Sequence, residues 1–184
     1  MSRKVQIILL CEDSQHEAFS RRFLEKAGWN SRKIRVIKAP KGKGSGARYV
    51  ELNYLLELQI YRVNRNRVNC MLVVVLDGDN IGIDRRIENL HNPCLAENLE
   101  PRHDDEQVAL IIPTWNIETW LEYLDGNNVY ESKKDYPRLE RARECQSHVN
   151  QLYEMCKAGT LRQPPPPSLE KACQEYRTRI KSDS

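Results

Sequence analysis

The amino-acid sequence predicts an α/β fold: a mainly parallel, four-stranded sheet flanked by helices, with a C-terminal helical extension. Three observations predict it. Val5-Gln-Ile-Ile-Leu-Leu-Cys11 and Met71-Leu-Val-Val-Val-Leu76 are nearly unbroken apolar runs, the pattern of strands buried on both faces. Segments with apolar residues at helical spacing alternate with the strands, as parallel crossovers require. Both long runs end in acids, Glu12-Asp13 after the first and Asp77-Gly-Asp79 after the second.

Taken in order, the first strand leads into a helix to Gly28, with Ser14 as cap, Glu17 completing a capping box, and Phe19, Phe23, Leu24 and Ala27 at core spacing. His16 on this helix is expected at the surface, the alternative being a proton donor near a leaving oxygen. Ile34-Arg-Val-Ile-Lys38 alternates and reads as a second strand with one face less buried. Pro40-Lys-Gly-Lys-Gly-Ser-Gly-Ala-Arg48 is too rich in glycine for an element and too basic for a neutral turn. Its backbone amides with Lys41, Lys43 and Arg48 are candidates for holding phosphates, the alternative being a solvated loop. It is no P-loop, because the Gly-x-x-x-x-Gly-Lys-Ser/Thr pattern is absent. Val50, Tyr54, Leu55, Leu58 and Tyr61 mark an amphipathic helix from Arg48 to Arg62 that returns the chain to the third strand.

After the acids at 77 and 79 a short helix is expected near Asp84 to Leu90, then an irregular excursion from Asn92 to Gln107 containing Pro93 and Pro101. Val108-Ala-Leu-Ile-Ile112 is the fourth strand, and a helix is expected over 115–124. Residues 1–124 thus form the α/β domain and 125–184 a helical extension packed on it or on a partner. The extension holds a long helix from Arg138 to about Ala158, a stiff proline run at 164–167, and a last helix striped by Leu169, Cys173, Tyr176 and Ile180.

A chain of 184 residues is long enough for one well-formed core. Its net charge of +3, from 29 Lys and Arg against 26 Asp and Glu, is too small to signal a polyanion partner by itself. No apolar run reaches the roughly 18 residues that span a bilayer, so no membrane partner and a cytoplasmic location are expected. The six cysteines form no C-x-x-C pair and no zinc spacing, and are expected reduced.

In a parallel sheet, ligands sit beyond the carboxyl ends of the strands, where Glu12, Asp77 and Asp79 all fall. In extended chain the two aspartates share a face, and Gly78 between them leaves room for a cation or phosphate close to the backbone. The alternative is a turn after a core strand. Mg²⁺, or Mn²⁺ in its place, takes oxygen ligands, and two or three carboxylates suffice when a phosphate supplies the rest.

Leu10-Cys11-Glu12-Asp13 followed by a helix, together with Val75-Leu76-Asp77-Gly78-Asp79, resembles the Toprim domain of topoisomerases, bacterial primases and the overcoming-lysogenisation-defect nucleases, over roughly residues 5–124. The resemblance implies a Toprim, Rossmann-like arrangement in which Glu12 acts as acid/base or metal ligand and Asp77 and Asp79 hold Mg²⁺. Family members commonly have Gly where this chain has Asp13, so Asp13 either binds a second cation or only caps the helix. Pro113-Thr-Trp-Asn-Ile-Glu118-Thr-Trp looks like the segment of small stand-alone Toprim proteins often found beside an ATPase in bacterial defence loci. Glu118 is then a further site acid or, alternatively, an exposed helix carboxylate. The expected function is a Mg²⁺-dependent nuclease, with nucleic acid, an ATPase protein and other copies of the chain as candidate partners. The rival is a catalytically silent module that binds nucleic acid or protein. Haloacid-dehalogenase phosphatases fit less well, since their acid pair follows the first strand.

Overall fold

Strand β1 (Ile7–Cys11) pairs in parallel with β2 (Ile34–Lys38) on one side and β3 (Met71–Val75) on the other. β4 (Val108–Ile111) pairs with β3, which gives the all-parallel order β2-β1-β3-β4. The structure is a computed structural model that describes residues 5–180. β1 and β3 are buried along their whole length, which is why their sequences are apolar without alternation.

Helix α1 (Ser14–Lys26) crosses from β1 to β2 on one face of the sheet, and α2 (Gly46–Asn64) crosses from β2 to β3 on the other. α3 (Gly82–Ala96) joins α2. The connections therefore diverge between β1 and β3, where an open α/β sheet forms its binding crevice.

The remaining helices complete the first face. A short α4 (Glu118–Leu124) follows β4, α5 (Gln146–Ala158) stacks on α1, and α6 (Pro167–Arg179) lies on β4. Trp120, Leu152, Leu169 and Cys173 join Phe19 of α1 in one apolar cluster, so the C-terminal helices share a core with the sheet layer. Burying those side chains at about 25 cal/mol per Å² is what holds α5 and α6 in place. At the sheet edge, Arg102 donates to Val108 O at 2.7 Å and Glu175 Oε2 accepts from Leu110 N–H at 2.9 Å. The same two side chains are paired with each other.

Several local expectations change. Asp13, not Ser14, caps α1: its Oδ1 accepts from the N–H groups of Gln15 and His16, and Glu17 pairs instead with Lys38. Asp caps as well as Ser, so the helix opens on whichever of the two reaches the free amides. α3 runs through Pro93 to Ala96, although the proline has no N–H to donate to the carbonyl four residues earlier. α4 begins at Glu118 rather than Trp115, and α5 begins at Gln146, preceded by a 3-10 turn, Ala142–Cys145. The last helix starts at Pro167, whose fixed φ suits the first helical position. Cys156 and Cys173 are bonded, contrary to the expectation of reduced thiols, because α5 and α6 bring their Cα atoms within 5.2 Å. Cys11, Cys70, Cys94 and Cys145 are free and buried. Among the described residues no helix is long and apolar enough to cross a membrane.

Candidate active site

Because Cys11 and Val75 are register partners, the residues just past them emerge side by side. Glu12 Oε1 accepts from the Asp77 N–H at 2.7 Å, which ties the end of β1 to the end of β3. His16, one helical turn after Glu12, points back beneath this junction with its Nε2 at 2.9 Å from Asp77 Oδ1. Its Nδ1 lies 3.2 Å from Asp13 Oδ1. The ligand atoms of Glu12, His16 and Asp77 all lie within 4.8 Å of one another. The expectation of a surface histidine is overturned: His16 is 1% exposed. α1 starts directly under the sheet's carboxyl edge, so the inward side of its first turn faces β3.

The charges of the cluster interact strongly. Burial pushes the Glu12 carboxyl up to about 7, with Asp77 and Asp79 adding to the rise and His16 opposing it. Burial also works against charge on His16, but Asp77 and Asp13 outweigh it and hold the imidazole well above its ordinary value. The charged imidazolium therefore serves as counter-ion to two carboxylates. Burial raises Asp13 as well, yet its bonds to His16 and the nearby Arg138 bring it below the usual carboxylate range. Glu118, 6% exposed, is raised by burial and by Asp77. That influence places Glu118 in the electrostatic neighbourhood of the cluster, not on an exposed helix face.

Asp79 is placed differently from the extended-chain expectation. The strand ends at Val75, and Asp79 takes a positive φ of 50°, so its side chain does not follow that of Asp77. It meets Arg86, whose guanidinium reaches Asp79 Oδ2 at 2.7 Å, Asp77 O at 2.8 Å and Glu51 Oε1 at 2.8 Å. Asp79 still contributes charge, because it raises Glu12 and is itself raised by burial and Asp77. The space beside Gly78 is also taken: a Cβ there would stand 2.1 Å from Thr114 O. The glycine admits the 113–115 backbone, through Gly78 N–H to Pro113 O at 2.8 Å and Asp79 N–H to Trp115 O at 2.9 Å, rather than a ligand.

A cleft of about 540 Å³ opens beside Glu12 and Asp13. Lys38, Lys41, Gly42, Gly44 and Gly46 line it together with Arg138 and Leu139. Gly46 is needed there, since a Cβ would meet Glu12 Cβ at 2.9 Å. The basic loop thus faces the acids, but its three predicted cations divide. Lys41 lines the cleft, whereas Lys43 and Arg48 are not among its lining residues. Arg48 lies in the first turn of α2, with its guanidinium 3.6 Å from Glu51. Arg138 spans the acids, pairing with Asp13 and, at 3.2 Å, with Glu118.

No family model, curated protein or solved structure matches this chain. Its site has to be read from its own donors.

Those donors suit a hard divalent cation. Among the described residues, Glu12 Oε2 and Asp77 Oδ2 carry no hydrogen bond, and Glu118 adds a buried carboxylate that feels the charge of Asp77. Carboxylates raised by burial and by the charge of neighbouring acids are groups that a cation relieves. Sequence reasoning missed the structural parts of His16, Arg86, Lys38 and Arg138. Only His16 carried a local signal, its four-residue spacing from Glu12 across the strand end.

Proposed function

We propose that the protein is a divalent-cation-dependent phosphodiesterase acting on nucleic acid, a Toprim-like nuclease. The observation that carries this reading is the convergence of Glu12, His16 and Asp77 at the β1/β3 crevice, with Glu118 in their electrostatic neighbourhood, beside a cleft lined by Lys41 and Arg138. Glu12, Asp77 and Glu118 would hold Mg²⁺ or Mn²⁺, with Asp79 supplying charge from the side and Asp13 acting as helix cap and partner of His16. When bound, such a cation polarises a scissile phosphate and acidifies water. His16 fixes the rotation of the Asp77 carboxylate through Oδ1 and leaves Oδ2 turned to the site. Lys41 and Arg138, both lining the cleft, bind phosphate oxygens.

The same reading assigns the protein to the cytoplasm, to anti-phage defence and to work with an ATPase partner, on the strength of the sequence segments described above. The Cys156–Cys173 bond is compatible with that compartment only as a shielded one, and both residues are almost fully buried. A second reading has one observation in its favour: Arg138 neutralises Asp13 and Glu118 without any cation, as a binding module that does not cleave would need.

Incubation with plasmid, single-stranded DNA and transfer RNA, in Mg²⁺, Mn²⁺ or chelator, separates the two. Cation-dependent cleavage is expected, falling by at least about 100-fold in Glu12→Gln and Asp77→Asn. Cleavage that persists in both variants sinks the site assignment. Binding without cleavage under any cation favours the silent module.

A further inference from the structure

Residues 125–141 contain no regular element before the 3-10 turn, yet they are held against the loop that leads to Glu118. Glu131 Oε2 accepts from Thr114 Oγ1 at 2.7 Å, Asn116 Nδ2 donates to Lys134 O at 3.2 Å, and Arg138 reaches Glu118. Glu131 Oε1 also accepts from the Ser168 N–H at 2.9 Å, which fastens the segment to α6. The strap therefore runs alongside 114–118, past the Gly78 loop, and arrives at the cleft through Arg138.

Its outward side combines aromatic rings with cations. Tyr130 is 69% exposed, the largest exposure among the large apolar side chains outside the charged set. Its backbone N–H donates to the Tyr136 hydroxyl at 2.8 Å, so the two tyrosines are fixed relative to each other. Lys133 Nζ stands 4.8 Å from the Tyr136 ring centre, and Lys134 Nζ 5.8 Å from that of half-buried Trp115. Asp135 is the opposing charge on this side, because Glu131 is spent on internal bonds. One exposed ring, Tyr130, beside half-buried Tyr136 and Trp115 with their lysines, and in one strap with Arg138, matches a surface that stacks bases while neutralising their phosphates. A duplex keeps its base faces covered, so such rings serve only unpaired bases.

We infer that the strap carrying Tyr130, Lys133, Lys134 and Tyr136 is the base-stacking wall of a single-strand groove, and that the substrate is single-stranded nucleic acid. The inference rests on the nuclease reading and narrows it. An acidic peptide would engage the lysines and leave the rings unused, which is one outcome the test detects.

The test measures fluorescence anisotropy of a labelled oligothymidine and of a duplex of equal length, in chelator, over a series of salt concentrations. The parent chain is expected to bind the single strand at least about 10-fold tighter than the duplex. Tyr130→Ala is expected to weaken single-strand binding about 5- to 100-fold while leaving duplex binding unchanged, and Tyr130→Phe to retain it. Circular dichroism checks that each variant is folded. Replacing Lys133 and Lys134 together by Ala is expected to flatten the single-strand salt slope by about 1.4, two charges at about 0.7 each. Equal or tighter duplex binding overturns the inference, as does single-strand binding that is unchanged in Tyr130→Ala or lost only with the lysines. Because cation is absent, the result is separate from cleavage. Tyr130-dependent strand binding with no cleavage in Mg²⁺ sinks the nuclease reading alone, whereas cleavage with no Tyr130 dependence sinks the groove alone.

Discussion

His16 and Glu12 decide how the acid cluster coexists with folding. Both groups hold protons more tightly in the folded chain than unfolded: Glu12 goes from an ordinary 4.5 to about 7, and His16 rises well above 6.5. Burial causes the first shift, whereas the second arises from Asp77 and Asp13 against burial. A state that binds more protons is favoured by acid, so both terms make stability fall as pH rises. The Glu12 loss lies between 4.5 and about 7, and the His16 loss begins above 6.5. Denaturant midpoints measured in chelator are expected to decline from about pH 5 to about pH 8. Glu12→Gln is expected to remove the lower part of the decline. A parent curve that climbs across this interval contradicts the assignment. At fixed pH, His16→Gln leaves Asp77 without its buried counter-ion while Asp13 keeps Arg138, and is expected to cost on the order of 3 kcal/mol. Glu12 and Asp77 were legible in the sequence because acids at the ends of apolar runs depend only on local pattern. His16 was not, since its burial depends on where α1 begins relative to a strand some 60 residues later. Asp79 misled because a single left-handed residue turns its side chain to Arg86.

Elements hold the site through a buried ion network behind it. Arg86 of α3 bonds Glu51 of α2 and the Asp77–Asp79 loop at once, and Asn89 adds a second donor to Glu51 at 2.9 Å. Replacing Arg86 by Leu leaves the buried Glu51 carboxylate with only Asn89 and the more distant Arg48, and is expected to lower unfolding free energy by about 3 kcal/mol in chemical denaturation. Arg86→Lys is expected to recover little, because one ammonium cannot meet three acceptors in fixed directions. Full recovery in the lysine variant would show that charge alone matters. The four strands and the helices over α1 and α2 could be read from periodicity, which reports the two faces of a sheet and one stripe of a helix. The strap over 125–141 could not, because its order comes from partners such as Thr114, Ser168 and Glu118 that lie far away in sequence.

For the molecule as a whole, the proposed function links cation binding to folding through the same acids. A divalent ion held by Glu12, Asp77 and Glu118 would bind the folded chain alone, so at 100 times its dissociation constant it would add about 2.7 kcal/mol of stability. Melting temperature is expected to rise with Mg²⁺ or Mn²⁺ in the parent chain and to stay level in Asp77→Asn. An equal rise in both would place the ion elsewhere.

The Arg102–Glu175 pair has a consequence for how this molecule meets others. By occupying Val108 O and Leu110 N–H, it imitates a neighbouring strand along β4 and leaves those outward groups nothing to offer an incoming peptide backbone. Strand addition, the route by which sheets recruit peptides or coalesce into aggregates, is closed at that border. A partner that extends this sheet must approach along β2, beside the basic loop, where joining the sheet also brings it to the mouth of the cleft.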